Sequence, residues 1–211
     1  MLLALSDHLR CTEPHADSWL VARADVAEDG RMVEGVLGCP ICQTERLVAS
    51  GVLYWTGVPR PSARPRSYEA HPDRVIRIGA LIAFGDSSVP YVLCGIDANV
   101  AAGLGGLAET PLVLIDPPDD RDARLATIIR GAPSLPFSAG SIQGVAVDAS
   151  HASTVFMDSC VGALVDGGRL VAPVASTLPA GIRELTRDAE QWVGQREVVG
   201  AAVLLRRAPK D

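Results

Sequence analysis

Tyr91-Val-Leu-Cys-Gly95 and Pro111-Leu-Val-Leu-Ile-Asp116 are short apolar runs separated by the small-residue stretch Asn99 to Glu109, and together they decide the fold. Each run is too short for a helix and ends in a turn signal, so each reads as a buried strand. The stretch between them reads as a crossover helix, and the whole as a βαβ unit. Asp116 lies about twenty residues beyond the first turn, where nucleotide-binding α/β folds place a carboxylate against ribose hydroxyls. The turn itself, Gly95-Ile-Asp97-Ala-Asn99, holds one glycine where close approach of a phosphate or cofactor uses two or three.

Composition agrees with a sheet covered by helices. The 211 residues are 48% hydrophobic but only 4% aromatic, so the core must be built from Ala, Val, Leu and Ile, which suits buried parallel strands. A net charge of -6 argues against a broadly basic nucleic-acid surface. The opening Met1-Leu-Leu-Ala-Leu-Ser-Asp7 lacks a basic segment and a long apolar core, and no run approaches a membrane span, so a cytoplasmic protein with no membrane partner is expected. Arginine replaces lysine everywhere except Lys210, which suggests a bacterial, GC-rich genome. Three of the five cysteines fall within the first 42 residues, an uneven distribution that fits a reducing compartment and a metal site better than a disulfide framework.

Residues 1–57 read as a small β unit, with a strand at Ser18–Ala24 and a turn at Glu28-Asp-Gly30. Cys39-x2-Cys42, preceded by glycine and enclosing Pro40, forms a tight turn that aims two thiolates at one tetrahedral centre. The other half-site is Cys11-x3-His15, which completes a Cys3His set of Cys11, His15, Cys39 and Cys42. His8, three residues before Cys11, is the rival for the fourth position. A unit this small has little core of its own, so a zinc ion would supply the missing stability. Leu9-Arg-Cys11, Gly35-Val-Leu-Gly-Cys-Pro-Ile-Cys42 and Glu45-Arg-Leu-Val-Ala-Ser-Gly-Val52 resemble the small zinc-ribbon protein that activates several tRNA, rRNA and translation-factor methyltransferases. In that family a strand ending in a Gly-containing turn follows the second knuckle, as Ser50-Gly-Val52 would here. The family's second cysteine in the first knuckle is absent, and His15 stands in for it.

Residues 58–71 are a Pro/Arg-rich linker, and Arg60, Arg64, Arg66, Arg74 and Arg77 form the basic cluster of the chain. That Arg60–Arg77 segment is either a solvated linker or, with the ribbon, a contact for RNA or a protein partner. Residues 72–211 form the α/β domain. A helix is expected over Pro72–Phe84, then the βαβ unit, strands at Leu125–Ile129 and Ile142–Val147, a helix at Thr154–Leu164 and a strand at Arg169–Pro173. Another helix is expected at Ile182–Trp192, and closing strands at Glu197-Val-Val and Ala202–Arg206.

Ser134-Leu-Pro-Phe137, Gly140-Ser-Ile-Gln-Gly-Val-Ala-Val147 and Leu164-Val-Asp-Gly-Gly-Arg-Leu-Val171 look like the third-to-fifth-strand region of S-adenosylmethionine-dependent methyltransferases. The resemblance implies a doubly wound, mostly parallel, seven-stranded sheet with its last strand inserted antiparallel. It also assigns S-adenosylmethionine contacts to Gly95, Asp97, Asp116, Ala132 and Leu135, and places Asp148 and His151 where catalytic and substrate contacts cluster. Three departures run through those positions. The glycine-rich loop is reduced to Gly95, with Ile96 and Asp97 expected to project into cofactor space; Ala132-Pro133 replaces the acid that meets adenine; and Gly103-Leu-Gly105-Gly106 lies too far along to serve and reads as close helix-sheet packing. The expected function is therefore a zinc-binding, methyltransferase-like module with a degenerate cofactor loop, acting as a binding or scaffold protein. The alternative is an active methyltransferase with a fused activating ribbon, so whether the chain is an enzyme stays open.

Overall fold

The computed structural model describes residues 1–56, 72–118 and 126–198. After a 3-10 turn at Leu3–His8 come strands β1 (Val21–Glu28), β2 (Arg31–Gly38), β3 (Glu45–Ala49) and β4 (Val52–Tyr54). Helix α1 (Pro72–Leu81), β5 (Tyr91–Cys94), α2 (Ala98–Gly105), β6 (Leu112–Ile115), β7 (Thr127–Arg130), β8 (Ile142–Val147) and α3 (Thr154–Ala163) follow. The described chain ends with β9 (Leu164–Pro173), β10 (Ile182–Arg187) and β11 (Gln191–Arg196).

All eleven strands belong to one sheet, in the order β1-β2-β3-β4-β7-β6-β5-β8-β9-β11-β10. Strands β1 to β4 form an antiparallel meander, and β4 then pairs in parallel with β7, Val52 opposite Ile128 and Leu53 opposite Ile129. From β7 to β9 every pairing is parallel, while β11 runs antiparallel between β9 and β10. The seven strands from β7 to β10 are the mostly parallel α/β sheet with one inverted strand that the resemblance implied, and β1 to β4 extend it to eleven rather than the seven expected. Every residue of β5 and β6 is buried, as strands covered on both faces require.

Helices α1 and α2 cover one face, through Val75, Ile78, Val100, Ala101 and Leu104 against Leu93, Leu114, Ile128 and Val171. On the other face, α3 contributes Phe156, Met157 and Cys160, and the N-terminal segment contributes Met1, Leu5 and Leu9. Leu9 bridges to Phe137, the Arg10 amide donates to the Pro136 carbonyl, and the Ser138 amide donates to the His8 carbonyl. One core therefore includes Leu37, Leu53 and Trp55 together with Val92, Ile115 and Ile129. The boundary expected between residues 57 and 58, and the linker with Arg60, Arg64 and Arg66, lie outside the described residues.

Two expectations are corrected. Residues 182–192 are not a helix but the β10–β11 hairpin. Ile182, Leu185, Ala189 and Trp192 follow a helical period, but the open edge of β9 offers a full ladder from Gln191↔Pro173 to Gln195↔Arg169, and this pairing overrides local preference. Asp188 closes the turn by accepting the Glu190 and Gln191 amides, at 2.8 and 2.9 Å. The inverted strand is thus β11, earlier than the expected Ala202–Arg206, which lies outside the described residues, as does Val199; Glu197 and Val198 belong to no strand. The second correction concerns Gly103, where an added Cβ would come within 2.7 Å of Val75. Its small size serves the α1–α2 contact rather than helix-sheet packing.

Leu53 is fully buried at the junction, so Leu53→Ala is expected to cost about 2–5 kcal/mol. Because the core is shared, urea unfolding followed by tryptophan fluorescence and by far-ultraviolet circular dichroism should give coincident single transitions. Two separated transitions would show that the chain on either side of β4–β7 folds independently.

Candidate metal centre and strand-end crevice

Donor atoms of Cys11, His15, Cys39 and Cys42 all lie within 4.8 Å of one another. In the second knuckle the Gln43 amide donates to the Cys39 carbonyl and the Cys39 amide to the Thr44 carbonyl, with Gln43 in the left-handed region at φ 60°. The first knuckle is held from a distance. The Trp55 indole donates to the Thr12 hydroxyl at 3.0 Å, and Arg46 reaches Glu13 at 2.5 Å while its guanidinium lies 5.2 Å from the Trp55 ring centre. Cys11 and Cys39 are buried, His15 is half-buried and Cys42 is exposed.

The spacing fits a tetrahedral ion. With metal–sulfur and metal–nitrogen bonds of about 2.3 and 2.0 Å, tetrahedral edges are roughly 3.8 Å between sulfurs and roughly 3.5 Å between sulfur and nitrogen. The Cys11 and Cys42 sulfurs are 3.7 Å apart, and Cys39 Sγ is 3.4 Å from His15 Nε2. His15 Nδ1 lies 2.6 Å from the Ala16 carbonyl, which assigns the proton to Nδ1 and leaves the Nε2 lone pair facing the thiols. The same carbonyl is the main cause of an upward shift in the His15 pKa. Burial would raise Cys39, but the amides of Cys42 and Ile41, with the Ser18 hydroxyl, outweigh it and bring the thiol down to about 6. The Thr44 hydroxyl and amide also lower Cys42, whereas burial pushes Cys11 up to about 11. His8 is not part of the cluster.

A second group of polar residues gathers at the carboxyl ends of the parallel strands, the usual binding edge of an open α/β sheet. Gly95 follows β5 at φ 68°, and a Cβ there would sit 2.3 Å from the Asp148 carboxylate. Asp148 follows β8 and holds His151 Nδ1 at 2.9 Å, while its Oδ1 also accepts from the Ser150 hydroxyl at 2.6 Å. On its other side His151 Nε2 faces Asp116 Oδ2 at 3.6 Å, and the ring meets Phe156 edge-on. Asp116, left-handed at φ 44°, accepts the Gly131 amide at 2.8 Å. The imidazole is thus clamped between two carboxylates across the ends of β6 and β8, beside the point where strand order reverses.

The sequence-predicted contacts are only partly together there. Gly95, Asp116, Asp148 and His151 converge. Asp97 instead caps α2, accepting the Asn99 amide at 2.8 Å, and Ile96 is buried against the α1–α2 side of the sheet. Ile96 still lines the cavity beside Asp148 while packing into the core, Asp97 is turned to the helix start, and the carboxylate of Asp148 lies against Gly95. Ala132 and Leu135 are buried in the core of the opposite face, and the Leu135 amide donates to the Ser159 hydroxyl. Sequence reasoning missed Thr12, Glu13, Arg46 and Trp55 as supports of the first knuckle, since no local signal links side chains 33 and 43 positions apart.

No protein-family model matches the chain, and no curated protein matches it. Solved structures similar to it include an S-adenosylmethionine-dependent O-methyltransferase from Thermotoga maritima, 11% identical over 68% of this chain and 69% of that one, with a TM-score of 0.45. The antibiotic-resistance methyltransferase Kmr is 14% identical over 59% of this chain and 93% of that one, TM-score 0.42. Precorrin-6y C5,15-methyltransferase from Geobacter metallireducens is 9% identical over 60% and 88%, TM-score 0.42.

The clamp has a defined pH signature. Burial opposes the charged imidazole, but Asp116 and Asp148 outweigh it and raise His151 above its ordinary 6.5. Burial likewise opposes both carboxylates, yet His151 and the Gly131 amide at Asp116, and Ser150 and His151 at Asp148, hold them below 3.8. A base whose folded pKa is raised stabilises fully below its unfolded value and loses that contribution as pH rises through the folded one. The depressed acids lose theirs as pH falls through their folded values. Denaturation of the native protein and a His151→Ala variant should therefore differ most between about pH 4 and 6.5, by on the order of 1 kcal/mol given the partly open Asp148. The gap should shrink toward pH 9, and a difference that grows there would contradict the charged clamp.

Proposed function

We propose that the chain is a zinc-carrying, methyltransferase-like binding module that does not itself transfer methyl groups. The observation that carries this reading is the Asp148 carboxylate seated against Gly95 and held there by His151, whose other ring nitrogen faces Asp116. A cofactor approaching the β5 turn would have to displace a charge-assisted contact, and the lone glycine leaves no second open backbone face. His151, with one nitrogen toward each carboxylate, is poorly placed to take a proton from a substrate. Asp116 supports its own loop through Gly131 rather than presenting both oxygens outward.

Zinc is the metal that a Cys3His set with these edges favours, and four protein donors describe a closed, structural site. When bound, the ion cross-links the two knuckles. Thr12 and Glu13, held by Trp55 and Arg46, set where Cys11 and His15 stand, and free rather than bridged cysteines fit a reducing compartment such as a bacterial cytoplasm. Among the described residues no helix is long and apolar enough to cross a membrane. A protein partner is favoured over RNA. Trp19, Val21, Ile41 and Leu47 are exposed on the ribbon side, while Arg77, from the basic cluster, is engaged by Asp188 and Glu190.

The purified protein should carry about one zinc per chain by metal analysis. Calorimetry with S-adenosylmethionine or S-adenosylhomocysteine should give no binding at micromolar concentration, and millimolar affinity at best, because each 1.4 kcal/mol of displaced contact costs about tenfold. Micromolar binding abolished by Asp116→Ala would restore the catalytic alternative.

A further inference from the structure

The four donors differ in accessibility. Cys11 and Cys39 are buried, whereas Cys42 opens to solvent at the tip of the second knuckle, beside the exposed Ile41. Two contacts within the cluster are close. Cys39 Sγ faces His15 Nε2 at 3.4 Å, while Cys42 Sγ contacts Cys11 Sγ at 3.7 Å. A disulfide needs about 2.05 Å between sulfurs, so that pair must close by less than 2 Å, a displacement that side-chain rotation in an exposed knuckle can supply. Cys94 and Cys160, the two remaining thiols, are fully buried and present nothing to an oxidant in water.

We propose that Cys11 and Cys42 are a reversible disulfide-forming pair, so that oxidation replaces the metal cross-link between the knuckles by a covalent one. This rests on the reading of the four residues as zinc ligands. The oxidant is hydrogen peroxide. Cys42 sulfur attacks one peroxide oxygen, the O–O bond breaks, and the sulfur becomes a sulfenic acid while the departing hydroxide takes up a proton. Cys11 sulfur then attacks Cys42 sulfur. The S–S bond forms, the S–O bond breaks, and a second hydroxide leaves and is protonated. Two thiolates have given two electrons, and one peroxide has become two waters.

The position of this pair in the fold gives the reaction its consequence. Cys11 belongs to the first knuckle and Cys42 to the second, so their disulfide ties together the segments that the ion ties. Cys39 and His15 remain as only two donors, too few for a structural zinc site. Oxidation should thus release the metal while β1 to β4 and the shared core stay folded.

The test uses zinc-loaded full-length protein, treated with hydrogen peroxide in the presence of a chromogenic zinc chelator and then mapped by non-reducing trypsin digestion. Metal analysis before oxidation tests the zinc reading by itself, and the same digestion on metal-free protein tests the thiol pair if no zinc is found. Expected are release of about one zinc per chain, an unchanged circular dichroism spectrum and reversal by dithiothreitol. The tryptic peptide Cys11–Arg23 should be joined to Met32–Arg46, with fragment ions placing the bond at Cys42. Cys42→Ser, which also lacks a zinc ligand, is compared as metal-free protein and should leave the two peptides unjoined after peroxide, and fragment-ion assignment on the unaltered sequence decides the pairing even if that variant folds poorly. A bond between Cys39 and Cys42, or Cys42 oxidised to sulfinic acid with no cross-link, would overturn the proposal.

Discussion

The parallel pairing of β4 with β7 is the contact on which the rest of the structure depends. Without it β7 would present an open parallel edge, and the antiparallel meander β1 to β4 would have one strand too few neighbours to bury its inner face. With it, Leu53 enters the core beside Ile129, and Trp55, one residue beyond β4, is locked by donating its amide to the Arg130 carbonyl at 2.7 Å. The indole then reaches Thr12 in the first knuckle. Thr56, the next residue, donates to the Gly131 carbonyl at 2.7 Å, and the Gly131 amide in turn holds Asp116. A single run of direct contacts thus leads from the candidate metal centre, across the strand junction, to the clamp at the strand ends.

This arrangement changes what a small metal-binding unit needs from its ion. A free-standing ribbon of this length would rely on zinc for folding. Here Cys11 and Cys39 are members of a core that also contains Val92, Cys94 and Phe156, so apolar burial supports the knuckles independently of the metal. An ion held there would govern the geometry of the exposed knuckle tip more than the existence of the fold.

The strand-end crevice illustrates a competition between local partners. Ile96 and Asp97 stand where glycines would leave space, yet one is drawn into the core and the other onto the start of α2, because an apolar side chain and an unsatisfied helix amide each have a stronger claim nearby. The space beside Gly95 is filled from another strand. Asp148 arrives with a histidine whose charged form both carboxylates favour, and the resulting bridge is self-contained.

Much of this was legible in the residues themselves. The apolar runs of β5, β6 and β8 are buried on both faces, so composition alone marks them as parallel strands, and Cys39-x2-Cys42 forms its knuckle through contacts within six positions. The position of Cys11 and His15 four apart left His8 as a rival, and it is the fold that gathers His15, not His8, with the three cysteines. The helical spacing from Ile182 to Trp192 was overruled because β9 offered an unpaired edge. Periodicity records which residues seek burial, and short motifs record which atoms lie close along the chain. Which face accepts those residues, and which distant side chain completes a turn, is decided only when strands far apart in sequence share one sheet.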